Sequence, residues 1–574
     1  MANDFQIIAK NDGALFTLKL HRGDGMTLLA MNWKAATPPN DFVGFAIEYQ
    51  EPGGDRFFAL KNRLAFPGTD GDVNPNKMST RLSPIQKFRW VHFPRNADMA
   101  GEFTYRVTPV FMNKLGELSY GEPQQAGIVL ARETYPGKLN IAFTRGFVSS
   151  QAFVDRYVTA TDGLATLIPP DSAAGLDFVP THPKAEEALA WMGFEARSAI
   201  LDVLDAAIAD KTALVRVIAY DLNDPAIVTR LEKLKKRLWV IIDNSSTHGK
   251  PDSPESTAAG RLQVTAGADQ VKRHHMSQLQ HNKTIVVDGA AKTAVCGSTN
   301  FSWRGMFVQS NNAMVLTGKA AIQPFIDAFE NYWVSDSVKT FGPTASTERI
   351  DLKLAGIDAE VTFSPHSAKN ATLTALGDDI ESAKSSVFYS LAFLNQTSGA
   401  VTDAIKAVTM KEGIFVYGIS DKKTGGLDVH LPDGKVAPVF PVNLSGNLPE
   451  PFKSEPTALD ANGGGTRMHH KFVVIDFDKP TARVYLGSYN CSVPADVKNG
   501  ENLLLIRDRR VATSYMIQAL TLFDHYEFRV LQLKAETKQT KLTLKKAPIK
   551  STDKPWWAED YKDPRKILDR KLFA

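Results

Sequence analysis

The chain has 574 residues, 43% of them hydrophobic and 23% charged, which is too long for one core and ordinary for a folded globular protein. Its net charge of +4 is uneven: residues 534–574 hold twelve Lys and Arg against six Asp and Glu, leaving a body of 55 basic and 57 acidic side chains. That body is not globally basic, which argues against a nucleic-acid coat as the main interaction, and two cysteines, Cys296 and Cys491, exclude a disulfide framework or a cysteine zinc site.

The opening MANDFQIIAKNDGALF has no basic leader followed by an apolar run, and no apolar stretch approaches the roughly 18 residues of a membrane span. The expectation is a cytoplasmic protein; leaderless secretion would leave the same signature. Residues 1–131 alternate in short β-type runs: FTLKL from Phe16, GFAIEYQ from Gly44, KFRWVHF from Lys87 and EFTYRVTPVF from Glu102. Turn clusters TPPND, EPGGD and PGTDGD separate them. This predicts a β-sandwich of immunoglobulin or fibronectin type with Trp33 and Tyr105 in its core; a small barrel would give the same pattern.

From about residue 190 the grammar changes. Helical spacing in FEARSAILDVLDAAIA (194–209) precedes a buried strand ALVRVIAYDL (213–222). A helix DPAIVTRLEKLKKR and a strand LWVIIDN (238–244) follow. The order returns after residue 370, with LGDDIESAKSS as helix, VFYSLAFL (387–394) as strand, GAVTDAIKAVTMKE as helix and IFVYGISD (414–421) as strand. Four pieces are therefore expected: the sandwich at 1–131, an α/β lobe at 132–345, a duplicate α/β lobe at 346–535, and a basic tail at 536–574 whose Trp556 and Trp557 anchor it to the body.

Motif copies mark the duplication. HNKTIVVD (281–288) and HHKFVVID (469–476) both read H-x-K-x-x-x-x-D, with their histidines 188 residues apart. Each leads to a strand ending in G-S-x-N, which supplies Ser298 and Asn300 in one half and Ser488 and Asn490 in the other. Fourteen residues beyond each glycine come Asn311 and Glu501. Strand alternation puts His281 on the face of Lys283, and His469 on the face of Lys471. His470 then faces away, toward solvent or a backbone partner.

The chemistry of this set suits a phosphodiester. Lys283, Lys471, Ser298, Ser488, Asn300 and Asn490 can neutralise and hold the anion without a metal or other cofactor. One histidine can attack phosphorus while the other protonates the leaving oxygen and then activates water. Asp288 and Asp476 are expected to tie strand ends together.

The paired motifs resemble those of the phospholipase D superfamily over residues 135–535. The resemblance implies two α/β lobes sharing one active site, so that a monomer suffices, and a two-step phosphohistidine mechanism with His281 as nucleophile and His469 as general acid/base. Members commonly back each histidine with an acid after the G-S-x-N turn. Glu501 fills that place in the second half and is expected behind His469, whereas Asn311 fills it in the first and is expected behind His281. The reverse assignment of the two histidines stays open. Of possible substrates, a phospholipid comes first, with peripheral membrane contact; a nucleic acid cut by a nuclease of the same superfamily comes second. A catalytically silent interaction protein using the sandwich is the third reading. His274 and His275 are candidates for a pocket rim, Phe363 and His366 for its wall, and the glycine-rich 454–467 for a lid.

Overall fold

The computed structural model describes residues 4–574 except 63, 69–77, 131–132, 146–152, 154–155, 160, 369–370, 393, 395–398, 422–426, 431–435, 440–467, 538–541 and 551. The expected lid at 454–467 lies outside the described residues. Two compact units result, one holding residues 1–132 and 513–574, the other 133–430 and 436–512.

In the first unit a four-stranded and a five-stranded antiparallel sheet enclose one core. Phe16, Leu18 and Leu20 of strand Phe16–Gly23 face Phe103, Tyr105 and Val107 of strand Glu102–Met112 across it. The four expected runs all form strands. Others were missed, among them Gln124–Val129 and the eight-residue Met26–Trp33, whose buried MTLLAM lacks the period-two alternation by which the four were read.

The C-terminal segment belongs to this unit. Trp557 lies in the sandwich core, and the Trp556 indole donates to the Phe42 carbonyl at 3.1 Å while stacking on Phe88 at 5.1 Å. Arg89 joins Asp524 at 2.8 Å and Asp569 at 2.9 Å. Of the segment's basic side chains, Arg570 packs inward, its guanidinium 3.8 Å from the centre of the Tyr561 ring, while Lys545, Lys546, Lys550, Lys554, Lys562, Lys566 and Lys571 are exposed.

The second unit contains two sheets of matching order. In the first, strands run Leu139–Phe143, Asn312–Thr317, Thr293–Gly297, Lys283–Asp288, Leu214–Ala219, Leu238–Asp243, Val271–His274. In the second, after an edge strand Ile350–Asp351, they run Asp358–Ser364, Glu501–Arg507, Arg483–Gly487, Lys471–Ile475, Ser386–Leu391, Phe415–Asp421, and then two short antiparallel strands. In both, the motif strand is antiparallel to its neighbours on either side, and the next pair outward is parallel. The duplication read in the sequence is thus a duplication of strand order.

Local chemistry explains the helices between. Asp224 caps Pro225–Leu234 by accepting from the Ala226 amide, and Ser253 caps Pro254–Ala266 through the Ser256 amide, each with proline in the first turn. The helix expected from residue 194 begins earlier, at Ala185, and breaks at Phe194, which has φ of 44°. Only the part beyond that break was legible as helical spacing.

Replacing Trp557 with alanine empties a packed core position, so the sandwich should lose about 3 kcal/mol or more. Urea unfolding followed by sandwich tryptophan fluorescence checks this, and an unchanged midpoint would place the residue outside the core.

Candidate functional site

Two backbone bridges join the sheets of the second unit. Gln280, just before the first motif strand, bridges Gly500, just before the strand that carries Glu501. Ser310 bridges Met468 in the same way, so the exit of each G-S-x-N turn lies beside the other half's histidine. The backbone amide of Gly500 donates to the Leu279 carbonyl at 2.9 Å, and that of His469 to the Ser310 carbonyl at 3.2 Å.

This register corrects the expected pairing of Glu501 with His469. Glu501 Oε2 accepts from His281 Nδ1 at 2.7 Å, and Asn311 Oδ1 accepts from His469 Nδ1 at 2.9 Å. Each histidine is held by the opposite half. The Asn311 amide is oriented by its own donation to the Gly305 carbonyl at 2.9 Å, and the Ser298 carbonyl also accepts from His469 at 3.1 Å. With Nδ1 engaged in both rings, Nε2 is the nitrogen left for chemistry. The ring centroids lie 6.3 Å apart.

The lysines and asparagines gather around these rings. Lys283 donates to the carbonyl of His281 and holds its ammonium 4.7 Å from the Tyr220 ring centre. Lys471 donates to the carbonyl of His469 at 2.8 Å. Both lysines are buried. Asn300 donates to Asp221 at 2.7 Å, and its Oδ1, like that of Asn490, has no protein partner among the described residues.

The serines differ from expectation. Ser298 donates to Asn311 at 2.9 Å, and Ser488 hydrogen-bonds the Glu501 carboxylate. A hydroxyl carries one proton, and each serine commits its own to that contact, so both hold the groups behind the histidines and have none left for an anion. Asp476 accepts from the Lys384 and Ser385 amides, each at 2.8 Å, and so ties its strand end to the neighbouring strand. Asp288 pairs instead with Lys292 in the following turn.

Burial sets the electrostatics. It pushes the pKa of His281 down, Glu501 partly opposing it, and that of His469 well down with Lys471 and Lys283 adding to the effect. Both rings are therefore neutral before an anion arrives. Burial also lowers the Lys283 ammonium to about 7, against the pull of Glu501 and Asp221. For the Glu501 carboxyl, burial raises and His281 lowers, and the net direction is down.

His470 does not face solvent. It is fully buried, its Nδ1 accepts from Asn312 at 3.3 Å, and it occupies the place that Asn282 takes in the first half, where Asn282 Oδ1 accepts from Asn502 at 2.8 Å. His366 is held by Asp496 at 2.7 Å and Thr362 at 2.8 Å, His275 by Asn244 at 2.8 Å, and Phe363 packs on Phe325; none joins the histidine pair. Both cysteines are buried, and burial raises the Cys491 thiol to about 12.

A polar cluster of the first half was not anticipated. Asp243 accepts from the Gln280 amide at 2.7 Å and from His248 Nδ1 at 2.8 Å, and Asp221 lies 3.2 Å from His248 Nε2. Tyr220 packs against His248 and His281, with ring centres 4.6 Å from each. The available signal was an acid at the C-terminal end of an apolar run, in VIAYD and VIID. Asp221, His248 and Glu255 have the donor types of a cation site, within 4.8 Å of one another. Both imidazole nitrogens already face carboxylates, so no ring nitrogen remains to ligate a metal.

Burial lowers the His470 pKa to about 3. The folded state keeps this ring neutral, while the unfolded chain binds a proton below about pH 6.5; its stability contribution is therefore full above that pH and is lost as pH falls toward the folded value. In His470→Asn, which copies Asn282, the fall in melting temperature from pH 7 to about pH 4.5 should be smaller than in the parent, by an amount equivalent to on the order of 2 kcal/mol. Parallel pH curves would contradict this.

A family model described as cardiolipin synthase, PLD-like domain, matches residues 204–333 and 376–520. A phospholipase D of Rickettsia prowazekii (strain Madrid E) is 46% identical over 48 residues, which are 8% of this chain and 22% of that protein. Similar solved structures include a phosphatidylserine synthase of Haemophilus influenzae Rd KW20, at 12% identity and a TM-score of 0.39, covering 66% of this chain and 91% of that one. Nuc of Salmonella typhimurium, a phospholipase D family member, aligns at 24% identity and a TM-score of 0.20, covering 24% and 87% respectively. Both scores are low. The two segments matched by the family model, each carrying its own H-x-K-x-x-x-x-D strand, form a phospholipase D-like domain.

Proposed function

We propose that the chain is a phosphodiesterase in which the two halves share one active site, with His281 as nucleophile and His469 as general acid/base. The observation that carries this is the crossed pairing: a carboxylate behind His281 and an amide behind His469. Glu501 stabilises the positive charge that His281 acquires as its Nε2 bonds to phosphorus. Asn311 carries no charge, so His469 gives up its proton more readily, as an acid must.

The anion brings negative charge between Lys283 and Lys471, which favours protonation of His469. Nε2 of His281 forms a bond to phosphorus, the bond to the leaving oxygen breaks, and His469 gives that oxygen its proton. Water then attacks phosphorus, His469 takes the water's proton, and the phosphorus–nitrogen bond breaks. An alcohol in place of water turns hydrolysis into transfer. The lysine ammoniums and the Asn300 and Asn490 amides supply the anion stabilisation, so no step calls for a metal.

A phospholipid is the substrate class this reading favours. The matched domain model is described by a lipid-synthesising activity, the partial relative is named a phospholipase, and the body's balance of 55 basic and 57 acidic residues is not that of a nucleic-acid binder. The protein should turn over phosphatidylcholine or phosphatidylglycerol vesicles and bis-p-nitrophenyl phosphate, with EDTA present throughout. His281→Ala should lower kcat by about a thousandfold or more. Loss of activity in EDTA would contradict the metal-free step; cleavage of single-stranded DNA with lipid untouched would contradict the substrate class.

A further inference from the structure

We infer that His248 is a positioning residue, an imidazolium brace that ties the segment bearing His281 to the amide of Asn300 through two carboxylates. This rests on the reaction proposed above and adds a part that the paired motifs do not contain.

His248 faces a carboxylate at each nitrogen, Asp243 at 2.8 Å and Asp221 at 3.2 Å. A neutral imidazole has only one N–H to give, so donation to both requires the charged ring. The surroundings agree. Burial pushes its pKa down, but Asp221 and Asp243 outweigh burial and Glu255 adds to them, so the ring stands at about 10. Of the cations nearby, Arg273 donates to the His248 carbonyl and, at 3.1 Å, to that of Asp243, and the Lys283 ammonium acts on Asp221.

Each carboxylate then reaches a different part of the site. Asp243 Oδ1 holds the Gln280 amide at 2.7 Å, one residue before His281 and at the bridge to Gly500. Asp221 Oδ2 holds Asn300 Nδ2 at 2.7 Å, which fixes the amide so that its second N–H is available to an anion. Tyr220 fills the space between the two imidazoles. Without the imidazolium, Asp221 and Asp243 would face each other with Glu255 nearby, and their repulsion would pull on Asn300 and Gln280 together.

The brace lies in the first half. Counting along the matched strands from Ala219 and Leu391 puts Ala392 where the first half has Tyr220. The half with the brace is the half with the carboxylate-backed histidine. Rigid placement matters most for the atom that forms the new bond, because small displacements of a nucleophile cost large factors in rate.

The test uses the full chain and three variants: His248→Gln, Asp221→Asn and the two combined. Each is measured for melting temperature, for kcat and KM on bis-p-nitrophenyl phosphate, and for orthovanadate affinity by calorimetry. His248→Gln should stay folded and lose about 10- to 100-fold in kcat, with little change in KM. Because Asp221→Asn relieves the unopposed carboxylate, the combined variant should be faster than the product of the two single losses, an outcome that a purely structural role would not give. Parent kcat in His248→Gln, or strictly multiplicative losses, would overturn the brace while leaving the reaction standing. If the parent turns over no phosphodiester, the reaction proposed above fails; the brace is then judged by orthovanadate, which His248→Gln should bind about tenfold more weakly or worse. Equal affinities, or no binding by the parent, overturn it.

Discussion

The contact between His281 and Glu501 is the constraint around which the second unit is arranged. A carboxylate buried without a partner is costly, and a neutral buried imidazole gains orientation only from a fixed acceptor. At 2.7 Å the two satisfy each other, but only because the strand starting at Glu501 abuts the segment ending at Gln280. The two sheets must therefore meet in one register. Neither half is complete alone: the first supplies a histidine without its acid, the second an acid without its histidine.

That dependence explains the run of polar side chains packed inside. Asn282 with Asn502, and Asn312 with His470, occupy equivalent places on either side of the pseudo-twofold relation. Ser298 and Ser488 hold the residues behind the histidines. Buried polar groups of this kind stabilise only when every partner is in place, so the network favours one mutual arrangement of the halves over others. The pseudo-symmetry is broken at a few positions, Asn311 against Glu501 and Tyr220 against Ala392 among them. Those are the positions on which the proposed division of roles between the histidines turns.

Much of this was legible in the chain. Period-two alternation, helix caps and two motif copies identified the strands, the duplicated order and the histidine–lysine pairs, because each is a local pattern. Met26–Trp33 escaped because its residues are buried without alternation, and the break at Phe194 because a single positive φ leaves no periodic trace. The partner of Glu501 could not be read because it is a matter of register between strands 220 residues apart. The same holds for His470: alternation showed that it turns away from His469, but only the packing of the halves shows that this direction is inward. Asp221, Asp243 and His248 were passed over because acids at strand ends are common, and what sets them apart is the ring clamped between two of them.

The central claim is that the carboxylate-backed histidine is the one that bonds to phosphorus. The most direct measurement is to react His469→Asn with excess bis-p-nitrophenyl phosphate, quench in alkali to preserve phosphohistidine, and map the modified peptide by mass spectrometry. Loss of the general base should slow hydrolysis of the intermediate more than its formation from an activated substrate, so the adduct should accumulate on His281. In the matching His281→Asn variant no adduct should form. An adduct on His469 in that variant, with His281 unmodified in the first, would reverse the roles and contradict the reading of Glu501.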